Sequence, residues 1–289
     1  MCPVPPESSH EFRPVSGITR RVPGRGPEAV RTVEKMDRRT FLASLAAAVA
    51  TGLAGCGTEP SPGADPSPTG TATLFSAPTG LRKVPLPHGT LFELPDRGRT
   101  VALTIDDGTS SAVIEGYATL ARDTGLRLTF FCNGVNSGWT THADLLRPLH
   151  DDNQIFLANH TWSHPNLLRL SPARVARQVR RNEAFLKNTY GTLGRPFMRP
   201  PFGAHDEALD AQLADLGYPA MTMWLGDLGD SSVVSPRTIV ANAKEWLLPG
   251  HIVIGHANHR PVTKVYGQLV EIIRARSLQP VHLGDIFEV

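Results

Sequence analysis

Residues 100–108 read Thr-Val-Ala-Leu-Thr-Ile-Asp-Asp-Gly. Six β-favouring or small apolar residues run without interruption into two acidic residues and a glycine. A run of this length, rich in β-branched residues and ended by a turn signal, reads as a strand buried on both faces. Strands of that kind belong to parallel sheets covered by helices. The rest of the chain follows the same rhythm. Further strand candidates lie at 128–133, 154–158, 196–199, 219–224, 251–255 and 280–283, with 100–105 as the first of seven. Helix candidates fill the intervals at 110–123, 140–151, 171–190, 205–217, 236–248 and 262–276. The clearest is 171–190: Val175, Val179, Phe185 and Leu186 recur at helical spacing, and Arg174, Arg177, Arg180 and Arg181 face outward. Ser171 and Pro172 supply an N-cap and a first-turn proline, and Gly191 a stop. Seven strand–helix units in about 190 residues favour closure into a barrel over a doubly wound open sheet.

Polar residues collect where these strands end. Asp106 and Asp107 end the first, His160 and His164 follow the third, and Arg199 ends the fourth. Asp227 and Asp230 follow the fifth, and His256 ends the sixth. In parallel barrels the carboxyl ends of the strands form the active-site mouth, so five strands delivering ionisable groups to one end is a stronger signal than any single motif.

Composition narrows the function. Of 289 residues, 40% are hydrophobic and 19% charged, which suits a globular protein. Residues 1–55 carry 8 Lys/Arg and 5 Asp/Glu; the remainder holds 21 against 22, so no basic surplus points to nucleic acid. Three cysteines, Cys2, Cys56 and Cys132, make no disulfide framework. Cys132 reads as a buried strand residue.

The N-terminal region reads as an address. Residues 1–35 are Pro- and Arg-rich without periodicity, a disordered or mis-called upstream segment, and Met36 offers an alternative start. Residues 36–56 place Arg38 and Arg39 before a 14-residue apolar run, too short to span a bilayer and suited to a signal peptide. Leu53-Ala54-Gly55-Cys56 resembles a lipobox, which implies lipidation at Cys56. Residues 38–42 resemble a twin-arginine export signal, with Asp37 where Ser or Thr is usual. Residues 57–80 read as a flexible Pro/Gly/Ser/Thr linker, and 81–289 as a single catalytic domain. The expectation is export and lipid anchoring at the outer face of a bacterial cytoplasmic membrane.

Taken in order, the motifs resemble those of polysaccharide deacetylases with the NodB-homology domain, carbohydrate esterase family 4. Residues 104–108 resemble the motif TFDDG, 160–164 the H-(S/T)-x-x-H motif, and 199–203 the R-x-P-(Y/F)-G motif. Residues 224–230 resemble the fourth motif and 254–256 the fifth. The resemblance implies an α/β fold, a distorted (β/α)7 barrel. It implies one divalent metal, zinc foremost with Co2+ or Ni2+ as alternatives, held by Asp107, His160 and His164. It further implies Asp106 as catalytic base, Arg199 as its partner, and His256 as acid with Asp230 orienting it. The backbone N–H of Phe202 would hold an oxyanion, and Ile254 and Trp224 would line the acetyl pocket. Ile105, Ser231 and Ala257 depart from the usual pattern; Ser231 stands where the fourth motif usually has Trp. The expected activity is removal of N-acetyl groups from a GlcNAc- or MurNAc-containing cell-wall polysaccharide such as peptidoglycan, by a monomer with no nucleic-acid partner. The alternatives are an O-acetyl esterase of the xylan type and a glycan-binding lipoprotein without catalysis.

Overall fold

The computed structural model describes residues 73–95 and 98–289. The signal segment, Cys56 and residues 57–72 of the linker lie outside the described residues. Nine strands run in chain order: β1 Gly89–Leu91, β2 Thr100–Asp107, β3 Leu128–Cys132, β4 Ile155–Asn159, β5 Phe197–Met198, β6 Ala220–Thr222, β7 Gly226–Asp227, β8 Ile252–His256 and β9 Gln279–Pro280. The helices are α1 Ser111–Thr124, α2 Gly138–Thr141, α3 Ala143–Asp151, α4 Pro172–Tyr190, α5 Glu207–Asp215, α6 Pro236–Trp246, α7 Tyr266–Ala275 and α8 Leu283–Ile286. All seven anticipated strands are present. β1 and β7 are additions, and at three and two residues they are too short for sequence periodicity to register. The last anticipated strand is cut to Gln279–Pro280, because Leu283 opens α8.

The order across the sheet is β1-β6-β5-β4-β3-β2-β8-β7, with β9 also on β2, and every pairing is parallel. β6 and β7 lie toward opposite ends of this order, yet only Met223, Trp224 and Leu225 separate them. An extended chain covers about 3.5 Å per residue, so the two ends must approach each other and the sheet must curl. The connecting residues are stitched to both sides: the Met223 amide donates to Leu91 O (2.7 Å) and the Leu225 amide to Ile252 O (2.9 Å). The result is the distorted (β/α)7 barrel, with a seam in its wall.

Side chains alternate as the pleat demands. Val101, Leu103 and Ile105 of β2 face outward and pack with Leu128, Phe130, Ile155, Leu157 and the apolar stripes of α1, α3 and α7. Ala102 faces the lumen with Phe131, Ala158, Phe197 and Ile252. Thr104 and Asp106 continue that inner row, and both bond to Arg199, whose side chain is fully buried. Arg199 spans the lumen: Nη1 donates to Thr104 Oγ1 (2.9 Å) and Asp106 Oδ1 (2.5 Å), Nε to Thr222 O (2.9 Å) and Nη2 to Met223 O (3.1 Å). One guanidinium therefore joins the longest strand to the seam.

At the opposite end Arg127, just before β3, pairs with Asp285 of α8 through two bonds of 2.6 Å. His282 Nε2 lies 2.9 Å from both Arg127 Nη2 and Asn153 O, and the imidazole is fully buried.

Two details differ from the sequence reading. Ser171 occupies the N-cap position of α4, but its hydroxyl makes no capping bond; its carbonyl accepts from Arg174 and Val175. The packed region also begins before residue 81. Phe75 is buried, its amide donates to Thr124 O (2.8 Å), and its carbonyl lies against Gly125, where any Cβ would approach within 2.1 Å. An aromatic residue within the polar linker composition is what anchors it.

Two outcomes follow for stability. Arg199→Met should cost about 3–5 kcal/mol in urea unfolding, because it leaves the Asp106 carboxylate buried without its cation. Asp106→Asn in that background should recover part of the loss; a single variant within about 1 kcal/mol of wild type would refute the linchpin role. Burial pushes the His282 imidazole down to about 4, opposed by Asp285 and helped by the Arg127 charge. An unfolded histidine titrates near 6.5, so the stabilising difference is complete above that pH and is lost as pH falls toward 4, by up to about 3 kcal/mol. Melting temperatures across pH 4–7 should fall less steeply in His282→Gln than in wild type.

Candidate active site

Consecutive strand residues point to opposite faces, so Asp106 and Asp107 cannot both enter the lumen while the strand continues. The backbone solves this by ending β2. Asp107 adopts φ 74 and Gly108 φ 99, which swings the second carboxylate over the mouth beside the first. A Cβ on Gly108 would meet the Trp139 indole at 2.4 Å, so the turn requires glycine on both counts. Thr161 (φ 71), His164 (φ 57) and Phe202 (φ 64) are also left-handed. Four of the six non-glycine residues with positive φ among the described residues thus belong to this one site, a concentration characteristic of functional positions.

His160 and His164 follow β4, and both direct Nε2 at Asp107. Each Nε2 lies 3.3 Å from Asp107 Oδ1, and ligand atoms of the three side chains all lie within 4.8 Å of one another. Asp107 Oδ1 is buried without a hydrogen-bond partner. His160 Nδ1 lies 2.6 Å from Arg199 O, an acceptor, so Nδ1 carries a proton and Nε2 is the nitrogen left to serve a cation. An orphaned carboxylate oxygen flanked by two imidazole nitrogens is a donor set suited to a divalent cation such as zinc, with room for further ligands on the cleft side. Burial works against the charge on Asp107, but His160, His164 and Asn258 outweigh it and hold the carboxyl well below the usual range.

Asp106 lies deeper, fixed by Arg199 on Oδ1, with Oδ2 3.6 Å from His160 Nε2. Burial draws the Arg199 guanidinium below its ordinary value, against the charge of Asp106. Across the cleft, His256 Nδ1 bonds to Asp230 Oδ1 at 3.0 Å. Burial disfavours the imidazolium, yet the bond to Asp230 and the charges of Asp106, Asp230 and Asp107 carry its pKa above the ordinary histidine value.

All ten sequence-derived site residues of the folded region converge on the strand carboxyl ends; eight line a cleft of about 560 Å³, and Arg199 and Asp230 are buried behind it. Phe202 forms one lip, 68% exposed, its ring 4.5 Å from that of His164. Trp224 stands on the seam, with the Arg199 guanidinium 5.4 Å from its ring centroid, and Ile254 lines the floor. Ser231 also lines the cleft, whose apolar lining includes Val135, Pro200, Phe202, Trp224 and Ile254.

Several residues of the site escaped the sequence reading. The Asp107 carbonyl accepts from the Asn133 amide (3.2 Å), Asn136 Nδ2 (3.1 Å) and Trp139 Nε1 (2.9 Å). Asn258 Nδ2 donates to Asp107 Oδ2 (2.6 Å). Asn182, buried in the middle of α4, donates to Cys132 O and Asn159 Oδ1 (both 2.9 Å) and accepts from the Gly134 amide (2.8 Å). Asn159 Oδ1 also accepts from Thr161 (2.8 Å), so this pair of amides fixes the loop that carries both histidines. The available signal was position: Asn133 directly follows an apolar strand, and Asn182 interrupts the buried stripe of a helix.

Residues 93–221 match the polysaccharide deacetylase family model. A chitin deacetylase of Arthroderma benhamiae is 28% identical over 206 residues, covering 69% of this chain and 55% of that protein. A peptidoglycan-N-acetylglucosamine deacetylase of Bacillus cereus is 28% identical over 168 residues, covering 57% and 58%. The chain thus spans little more than half the length of these two relatives. In fold it is similar to BA3943, a CE4 family pseudoenzyme of Bacillus anthracis, with a TM-score of 0.61 at 17% identity over 70% of each chain. With the motifs gathered at one barrel mouth, these matches make the folded region of this chain similar in sequence and fold to the polysaccharide deacetylases, whose family model covers residues 93–221.

Proposed function

We propose that this protein is a metal-dependent N-deacetylase acting on a GlcNAc- or MurNAc-containing cell-wall polysaccharide such as peptidoglycan. The observation that carries the reading is the placing of a buried carboxylate with its own cation, Asp106–Arg199, and a carboxylate-held imidazole, Asp230–His256, beside one Asp-His-His cluster. A fold shared with a pseudoenzyme does not secure activity. Here the residues proposed as base and acid, Asp106 and His256, each have an orienting partner.

Asp107, His160 and His164 would hold the divalent ion, zinc foremost, with cobalt or nickel also compatible with these donors. Such an ion polarises a carbonyl and makes water acidic enough to attack near neutral pH. Asp106, held in place by Arg199, accepts the proton that water loses as its oxygen bonds to the acetyl carbon. The Phe202 N–H faces the developing oxyanion. His256 donates the proton of Nε2 to the amine nitrogen as the C–N bond breaks, giving acetate and a free amine. Asp230 fixes its tautomer through Nδ1 and favours its charged form. Trp224 and Ile254 exclude water around the acetyl methyl. Lipidation at Cys56 after export, with the linker that follows as tether, would hold the monomeric enzyme at the outer face of the cytoplasmic membrane, within reach of the wall.

The test is acetate release from N-acetylated glycan fragments, peptidoglycan and acetylated xylan, with the metal removed and restored. Chelation should abolish release and zinc restore it, and Asp106→Asn should lower the rate about 10²–10⁴-fold. Release from xylan alone would replace the amide by the ester reading, and no release from any substrate by either protein would leave a glycan-binding role. A second outcome concerns pH. His256 works in its protonated form, so activity is present below its raised pKa and lost as pH rises through it. Asp230→Asn removes the bond that favours that form, so the alkaline limb of the kcat profile should move to lower pH.

A further inference from the structure

The two oxygens of the Asp107 carboxylate are treated differently. Oδ1 is buried, accepts no hydrogen bond and stands 3.3 Å from Nε2 of His160 and of His164. Oδ2 is occupied: Asn258 Nδ2 donates to it at 2.6 Å. The orientation of the Asn258 amide is fixed by its other end, where Oδ1 accepts from the Thr109 amide (3.2 Å) and from Thr109 Oγ1 (2.8 Å). A main-chain N–H can only donate, so the amide oxygen must face Thr109 and the NH2 group must face Asp107. The backbone of Asp107 is held as firmly, by the three donors from Asn133, Asn136 and Trp139 on its carbonyl. Rotation of the side chain is the freedom that remains, and the bond from Asn258 restrains it.

We infer that Asn258 is a positioning residue for the metal ligand: by occupying Oδ2 it commits Asp107 to bind a divalent cation through Oδ1 alone. The inference rests on reading Asp107, His160 and His164 as the metal site. Its physical content is preorganisation. A carboxylate already turned to its binding angle loses less freedom when the ion arrives, and partners that orient ligands typically contribute about 10- to 100-fold in metal affinity. Asn258 follows His256 by two residues, so the end of β8 and the segment leaving it together deliver the imidazole proposed to face the leaving group and fasten the ligand that ends β2. That position lies outside the motif quoted for β8, which ends at His256.

The experiment measures zinc affinity of the metal-free full-length protein by competition with a chromophoric chelator. Wild type is compared with Asn258→Ala, with the nearly isosteric Asn258→Asp, and with His164→Ala as the reference for loss of a ligand. Thermal unfolding of each metal-free protein is recorded alongside. The expected result is zinc affinity about 10- to 100-fold below wild type in both Asn258 variants, with metal-free melting temperatures unchanged. Wild-type affinity in both variants overturns the inference. So does a loss confined to Asn258→Ala and accompanied by a lowered metal-free melting temperature, which assigns Asn258 to loop packing. Wild type binding zinc no more tightly than His164→Ala removes the metal site itself, and the inference falls with it.

Discussion

A guanidinium with no exposed surface sits at the centre of the barrel, and the rest of the site is arranged around it. Burying a charge is costly unless an opposite charge and enough acceptors surround it. Arg199 meets that requirement with Asp106, Thr104 Oγ1 and two carbonyls from the seam. Its own carbonyl accepts from His160 Nδ1, so the residue that neutralises the deeper carboxylate also sets the tautomer of a neighbouring imidazole. Lumen filling, seam closure and the protonation pattern of the site are therefore consequences of one ion pair. The same logic operates at the other end, where Arg127, Asp285 and His282 close the barrel with a second buried charge pair.

The mouth of the barrel is built by breaking the regularity that makes the walls. Within β2 the pleat alternates strictly, apolar outward and small or polar inward. At Asp107 it stops, and a left-handed residue puts two adjacent carboxylates on the same side. Thr161, His164 and Phe202 repeat the device on neighbouring loops. Each such conformation costs about 1–3 kcal/mol unless its surroundings enforce it. Here they do, through the three donors on the Asp107 carbonyl and the Asn159–Asn182 amide pair beneath the histidines. Most of the polar residues missed by the sequence reading are this reinforcement.

Much of the architecture was legible because it is periodic. Buried parallel strands write themselves as apolar runs, and α4 writes itself as a stripe. The ionisable residues were legible because chemistry restricts their type and because they fall at the same end of successive strands. What stayed hidden has a common physical cause: short pairings and side-chain amides leave no period. β1 is three residues, and its place beside β6 depends on how far the sheet has curled. Asn133, Asn136, Trp139 and Asn258 are ordinary loop or helix residues until the fold brings them to one aspartate, three at its carbonyl and Asn258 at its carboxylate. Ser171 shows the converse, since a residue of the right type at the right position left its capping bond unmade. Phe75 is a lone aromatic in a polar segment, and only packing against Thr124 and Gly125 distinguishes it from linker.

The three-residue passage from β6 to β7 has an architectural consequence. Met223 is bonded to one side of the opening and Leu225 to the other, with Trp224 between them facing the cleft. Cleft breadth and wall closure are therefore the same mechanical variable. Lengthening this passage by a residue would relax the circumference and displace the aromatic surface in a single step. The stretch after β6 is thereby held to its present length by the geometry of the cylinder it completes.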